Sequence, residues 1–335
     1  MNILLTCIGR RHYLAQYFRG ALGLQGKLVG TDMDPTAPGL RACDIEYQVP
    51  GVGDESYPDA LKKIMIDENI SMVFSLNDLE IGLLAELADK FERETGAVLY
   101  VPSVGTRDVC ADKWQTFLFA RSLGIPTPHT FLSVDAAQQA IKQDAAKSRW
   151  VVKPRWGSAS IGLYIVDSAE DLPVVHETCA RVVRGSALSV FGKENAVIIQ
   201  EWIEGQEYGV DMLFDRYRNL AGFAAKRKLS MRAGETDKAL TVSPKPFHDI
   251  VSKLAGSLSH RGNVDCDFLE RDGQLYLLEL NPRFGGGYPF THMAGANHVQ
   301  MLIDDYQGKA LPPYGYREGM TFAKCDTLVQ VPTPV

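Results

Sequence analysis

Glu279, Asn281 and Arg283 stand at alternate positions where the apolar run Leu275–Leu280 ends. On a strand, residues two apart share a face. A carboxylate inside such a run is costly to bury without a partner. Asp267 sits in a second apolar run, Cys266–Leu269, and the two runs flank Asp272-Gly273, a strong hairpin signal. Folding them together brings Asp267 opposite Glu279 and Asn281. Two carboxylates and an amide oxygen form a hard-oxygen site that suits Mg²⁺, which takes few protein carboxylates and fills its shell with water and phosphate. Arg283 is then placed to neutralise phosphate oxygens bidentately. The alternative is an acidic pair at a strand end, neutralised by that arginine.

Val151-Val152-Lys153-Pro154 ends another strand and runs into Gly157-Ser158-Ala159-Ser160-Ile161-Gly162. Small residues there let backbone N–H groups close over an anion, with Lys153 adding charge beside them. Glycine and serine also favour a plain turn. The segment 199–207, IQEWIEGQE, leaves a strand through a glycine turn. Such a hinge offers backbone groups to an adenine edge and the Glu207 carboxylate to ribose hydroxyls; otherwise it is a solvated acidic turn. Lys226, Arg227, Lys228, Arg232 and Lys238 surround Gly234-Glu235-Thr236-Asp237, read here as a loop. It is either a mobile clamp on the γ-phosphate and a substrate acid, or a solvated charged hairpin.

The elements that must position these residues follow from periodicity. Strands at Asn2–Cys7, Lys27–Thr31, Met72–Ser75 and Val98–Val101 alternate with helices over Arg11–Leu22, residues 57–68 and Leu79–Thr95. Alternation of this kind predicts a parallel sheet covered by helices, a Rossmann-type unit over residues 1–108. Its first loop has the single glycine Gly9, so GxGxxG is absent and a nicotinamide oxidoreductase is disfavoured; Asp32 then simply ends a strand. A connecting helix and linker occupy 109–127, the helix stopping at Gly124 before IPTP. A small α+β unit follows over 128–198, and residues 199–330 carry the hairpin and a helix at 246–260.

With 335 residues, the chain is long enough for several subdomains around one site. Its net charge of -6 lacks the basic surplus of a nucleic-acid binder. The six cysteines are scattered without a close pair, which argues against a zinc cluster or disulfide framework. No run approaches a membrane span and the N-terminus does not read as a signal peptide. A soluble, cytoplasmic protein is expected, binding neither nucleic acid nor membrane.

The order of the pieces is more specific than any one of them. Lys113, Lys153 with its glycine loop, QEWIEGQE, and Asp267…Glu279-x-Asn281-x-Arg283 resemble the ATP-grasp superfamily. IQEWIEGQEYGVD, NVDCDFLERDGQLYLLELNPR and Cys110-Ala111-Asp112-Lys113 make the chain similar to a short, single-module carbamoyl phosphate synthase large subunit, over essentially its whole length. The resemblance implies an α/β ATP-grasp fold: a Rossmann-like pre-ATP-grasp domain, a small α+β lid and a C-terminal α+β subdomain. It implies Lys113 and Lys153 on the α/β phosphates, with Gly157, Ser158 and Ser160 from the loop. Glu201 and Ile203 would hold adenine through their backbones with Gln200 near the amino group, and Glu207 would bind ribose. Asp267, Glu279 and Asn281 would bind one or two Mg²⁺, with Mn²⁺ as a substitute. Arg283 and Lys153 would serve the migrating phosphoryl group.

The implied activity is a ligase that activates a carboxylate as an acyl phosphate for attack by an amine, releasing ADP and phosphate. Phosphorylation of bicarbonate or carbamate is an alternative, and a non-catalytic nucleotide-binding module another. Two departures pull toward the carboxylate–amine ligase. Asp267 stands where those synthetases often carry glutamine, and Phe-Gly-Gly-Gly-Tyr-Pro-Phe replaces their polar stretch after Arg283. Small-molecule acid and amine substrates are implied, and a homodimer is admitted. Loops after strand C-termini bind ligands in parallel sheets. The substrate acid is therefore expected near Arg10, Arg11 and Gly285–Tyr288, with Lys226 or Arg232 completing the pocket; otherwise Arg10 and Arg11 meet only solvent.

Overall fold

The computed structural model describes residues 1–143, 149–157, 162–186 and 194–333; Ser158 and Ser160 lie outside the described residues. Among these, the first unit is a five-stranded sheet, all parallel, in the order β3-β2-β1-β4-β5. Its strands are β1 (Asn2–Thr6), β2 (Leu28–Asp32), β3 (Ile45–Gln48), β4 (Ile70–Ser75) and β5 (Val98–Leu99). Helices α1 (His12–Leu22), α2 (Tyr57–Asp67) and α3 (Asp78–Thr95) supply the crossovers. Leu4 joins a core with Val73 and Leu84 on one side of the sheet, while Ile3 and Leu5 join one with Phe18 and Phe74 on the other. Burial on both faces explains why these strands read as unbroken apolar runs. Asn77 caps α3 by accepting from Leu79 N–H at 2.8 Å, and Gly96 ends it in the left-handed region at φ 74°. The strand order reverses between β1 and β4, so the loops after them, carrying Arg11 and Asp78, flank the switch point.

Two helices, α4 (Val104–Ala111) and α5 (Lys113–Ser122), lead to an antiparallel four-stranded sheet ordered β6-β9-β7-β8. It comprises β6 (Thr130–Phe131), β7 (Trp150–Pro154), β8 (Tyr164–Val166) and β9 (Val197–Glu201), with α6 (Val134–Gln143) and α7 (Leu172–Arg184). The third unit is a six-stranded antiparallel sheet, β14-β13-β10-β11-β12-β15. Its strands are β10 (Gln206–Phe214), β11 (Leu220–Arg232), β12 (Glu235–Val242), β13 (Gly262–Arg271), β14 (Gln274–Asn281) and β15 (Thr321–Ala323). Helices α8 (His248–Ala255), α9 (Tyr288–Met293) and α10 (His298–Tyr306) complete it.

Three expectations change. The helix expected over 246–260 ends at Ala255 and Gly256. The expected loop at Gly234–Asp237 is a two-residue turn, Ala233-Gly234, both at positive φ (50° and 78°), after which Glu235 already begins β12. That is the twist a tight hairpin needs, but alanine rarely adopts it, so the sequence hid the turn. β3, α4, β6, α6, β12, α9, α10 and β15 were not foreseen; β3 is short and half exposed, and β15 pairs only with β12. The hairpin at Asp272-Gly273 forms as read, with φ of 54° and 79°.

Candidate active site

The β13–β14 register places Asp267 opposite Glu279 and Asp265 opposite Asn281. Neighbouring β10 places Gly209 opposite Asp267 and Asp211 opposite Asp265. One sheet face thus carries Asp211, Asp265, Asp267, Glu279 and Asn281, with Lys226 and Lys228 arriving from β11. Lys228 Nζ contacts Glu207 Oε1 at 2.6 Å and Asp267 Oδ1 at 2.8 Å, which ties the expected ribose and metal residues to one cation. Lys113 Nζ reaches Glu279 Oε1 at 3.1 Å and donates to the Gly157 carbonyl. Against the cost of burial, Lys113 and Lys153 hold Glu279 below the usual carboxylate range. Burial, Asp267 and Asp211 push Asp265 well above it. Burial and the neighbouring Lys113 lower Lys153 to about 8. Two lysines held close together, one with its proton weakly bound, make a site that an anion would stabilise.

Asp112 organises this corner. It caps α5 by accepting from Trp114 N–H at 2.9 Å and binds Arg155 through both oxygens, at 2.7 and 2.6 Å. The Lys113 N–H donates to the Arg155 carbonyl at 3.1 Å. Lys113 and Lys153 therefore share a frame built from α5 and the end of β7.

Arg283 follows β14 and is bound bidentately by Asp78 at the start of α3, at 2.6 and 2.8 Å. It lines a cavity of about 110 Å³ together with Asp265, Asp267, Glu279, Asn281 and Lys228. The same cavity extends to Arg11, Lys226, Glu235, Gly286 and Gly287. The glycine run has a steric reason. A Cβ on Gly285 would lie 2.1 Å from Asp265 Oδ2, one on Gly286 2.9 Å from Glu235 Cδ, and one on Gly287 2.5 Å from Lys226 Cε. Each glycine makes room for a charged side chain, rather than leaving open space.

Other sequence-chosen residues land elsewhere. Gln200 donates to Thr130 Oγ1 at 3.0 Å inside the β6–β9 pairing. Glu201 ends β9, its N–H bound to the His129 carbonyl at 2.8 Å. Ile203 is buried just beyond it, and its N–H has no acceptor among the described residues. Arg10 is exposed. Arg232 pairs with Asp237 and Asp326 at the turn of the hairpin and is not among the cavity-lining residues, although Met231 and Gly234 beside it are. Tyr288 is fully buried in the core, its hydroxyl at 3.1 Å from His292 Nδ1 and accepting from Val299 N–H, so it does not form a cavity wall. Lys226 does line the cavity, its side chain 1% exposed and its Nζ bound to Asp211 at 2.6 Å.

Asp265, Asp78 and the role of Glu235 were missed. Asp265 was readable, being two residues before Asp267 on a strand. Asp78 was not, because it meets Arg283 across 205 residues of chain. Asp267, Glu279 and Asn281 offer hard oxygens on one face, which fits a Mg²⁺ completed by phosphate and water. Among the described residues no three His, Cys, Asp or Glu converge on a closed metal cage.

A family model described as PylC-like, N-terminal domain matches residues 3–99, and one described as ATP-grasp domain matches residues 110–287. Carbamoyl-phosphate synthase of Methanobrevibacter smithii is 23% identical over 266 residues, spanning 75% of this chain and 68% of that protein. The carbamoyl phosphate synthase large chain of Thermomicrobium roseum is 24% identical over 235 residues, 66% of this chain but 21% of that relative. Among solved structures, the biotin carboxylase domain dimer of Hydrogenobacter thermophilus 2-oxoglutarate carboxylase, in complex with MgADP, ADP and bicarbonate, superposes with TM-score 0.75 at 18% identity, covering 96% of this chain and 73% of that one. The L-amino acid ligase of Bacillus licheniformis superposes with TM-score 0.70 at 18% identity, covering 96% and 79%. With three sheets in the order described, a carboxylate-and-lysine face between two of them, and a family model spanning more than half of its length, the chain belongs to the ATP-grasp family.

Proposed function

We propose that the chain is an ATP- and Mg²⁺-dependent ligase that activates a carboxylate as an acyl phosphate and joins it to an amine. The observation that carries this reading is the facing of Asp265 and Asp267 with Asn281 and Glu279, beside Lys113, Lys153 and the Asp78-bound Arg283. A carboxylate resists an amine because oxide is a very poor leaving group. When a carboxylate oxygen attacks the γ-phosphorus, the bond to the β–γ bridging oxygen breaks and ADP leaves; the amine then displaces phosphate from the acyl carbon, losing a proton to solvent. Phosphoryl transfer asks the protein for positioning and charge neutralisation more than covalent help. Lys113 and Lys153 fit the α/β phosphates, and Arg283, immobilised by Asp78, fits the transferring group. Asp267, Glu279 and Asn281 would hold Mg²⁺, which supplies charge to the phosphates; Mn²⁺ is proposed as a substitute. The Ile203 N–H, without an acceptor among the described residues, suits an adenine nitrogen, with Glu201 and Gln200 beside it, Glu207 on ribose, and Gly157, Ser158 and Ser160 at the phosphates.

The proposed division is 1–108, 109–127, 128–198 and 199–330, with nucleotide between the last two units. A cytoplasmic location and a homodimer are carried as proposals; no helix among the described residues is long and apolar enough to cross a membrane. The test is ADP release with MgATP across amino acids, bicarbonate and small acids, comparing wild type with Glu279→Gln and Asn281→Asp. Both variants are expected to fold and to lose turnover at every Mg²⁺ concentration. Full activity in either overturns the assignment. The similarity to carbamoyl phosphate synthases supports a second reading, phosphorylation of bicarbonate or carbamate. ADP release with bicarbonate and ammonia alone would favour it.

A further inference from the structure

The cavity beyond the metal-facing carboxylates holds two charged groups that the surrounding protein leaves incompletely used. Arg11 follows β1 at the switch point of the parallel sheet. One guanidinium nitrogen donates to the Leu76 carbonyl, which fixes the side chain in place. Its Nε is buried and has no acceptor among the described residues, and no carboxylate there lies within ion-pair distance. A buried donor without an acceptor is unfavourable, and a guanidinium edge is shaped for a carboxylate. The adjacent Arg283 cannot share its counter-ion, because Asp78 already grips it through both oxygens.

Glu235 is the second group. It opens β12, and its carboxylate lies against Gly286, where any larger residue would displace it. Lys324 takes Oε2 at 2.9 Å, while Oε1 accepts no hydrogen bond among the described residues. The other cations lining the cavity are matched: Lys226 by Asp211, and Lys228 by Glu207 and Asp267. Apart from the metal-facing carboxylates, the lining of this cavity leaves one cationic edge and one Glu235 carboxylate oxygen for a ligand.

Resting on the ligase reading, we propose that this end of the cavity takes an α-amino acid, its carboxylate on Arg11 and its ammonium on Glu235. A simple acid would satisfy Arg11 and gain nothing from Glu235. A simple amine would do the reverse. A zwitterion satisfies both without adding net charge to a site already dense in ions. Arg11 lies near Arg283 in the same cavity, so a carboxylate held there is close to the group that neutralises the transferring phosphoryl.

The experiment measures ADP release by the full chain with MgATP. The proteinogenic L-amino acids are supplied one by one, each beside the matching acid without its α-amine and the matching amine without its carboxylate. At least one amino acid is expected to raise turnover about tenfold or more above both partners, the worth of one charge-assisted hydrogen bond. Glu235→Gln should raise KM for that amino acid about tenfold, leave KM for ATP near wild type, and cause no further loss with the des-amino acid. Arg11→Lys should raise KM for the amino acid and for its des-amino acid alike, and leave KM for ATP near wild type. Stabilisation of each variant by MgADP in thermal unfolding shows that it has folded. A des-amino acid that works as well as its parent, or no response to any amino acid while MgADP still binds, overturns the zwitterion and leaves the ligase reading standing. No MgADP binding at all overturns both.

Discussion

Lys153 is a buried cation whose proton the fold holds weakly. Burial and Lys113 bring it to about 8, whereas a lysine in an unfolded chain titrates near ~10.4. The folded value is depressed, so between those limits the unfolded chain binds more protons than the folded one. Stability without ligand therefore gains with rising pH across that window and loses that gain as pH falls through about 8. Polyphosphate affinity runs the other way, because phosphate needs the protonated ammonium. Nucleotide binding at pH 8 should take up about half a proton at this side chain, and affinity should weaken as pH climbs further. Calorimetry in buffers of differing ionisation enthalpy reads that uptake directly, and Lys153→Met should abolish it. Binding without proton uptake in the wild type would separate Lys153 from the phosphates.

Three elements make the site: the β13–β14 hairpin, the turn after β14 and the β11–β12 hairpin. The first was legible because its signals are local, with alternation placing Asp267, Glu279 and Asn281 and Asp272-Gly273 fixing the register. The second was expected to lie beside a substrate acid, and the room over its glycines proved to be filled by other side chains. Composition shows that glycines lack side chains; only the fold shows that Asp265, Glu235 and Lys226 arrive from other strands to use the room. Tyr288 was lost for the same reason, since nothing in its neighbourhood reports that α9 turns it into the core. The glycines should respond unequally. Gly285→Ala meets Asp265 Oδ2 at 2.1 Å, and Asp265 is only 8% exposed and cannot retreat. Overpacking of that kind costs roughly 1–3 kcal/mol. Gly286→Ala meets Glu235, whose side chain is long and half exposed and can swing aside. Thermal unfolding should therefore show a clear loss for Gly285→Ala and a shift within about 2 °C for Gly286→Ala. Activity should fall in both. A larger loss of stability for Gly286→Ala would mean that Glu235 is held more firmly than its exposure implies.

At the scale of the molecule, the parallel sheet and the antiparallel sheet meet over the cavity. The Arg283–Asp78 pair joins them, the arginine 8% exposed and the aspartate 31%. The alternation that revealed the parallel sheet could not reveal this joint, because periodicity reports which face an element buries and not which distant side chain it meets. Arg283 stays charged because Asp78, despite the cost of burial, raises its proton affinity, and Arg283 in turn holds Asp78 below the usual carboxylate range. If Asp78 is a positioning residue acting through Arg283, two measurements must agree. Asp78→Ala leaves a buried guanidinium without its carboxylate. It should cost roughly 1–3 kcal/mol, discounted from a fully buried pair because the aspartate is partly exposed. Asp78→Ala/Arg283→Ala should regain part of that loss. In turnover, Arg283→Ala should lower kcat by roughly 10²–10³-fold and Asp78→Ala by up to roughly 10²-fold, each with KM for ATP near wild type. The double variant should be no slower than Arg283→Ala alone, since an arginine that is gone cannot be misplaced. Losses in kcat that multiply in the double variant would show that Asp78 serves the reaction by a route of its own, and that the joint between the sheets does not set the aim of Arg283.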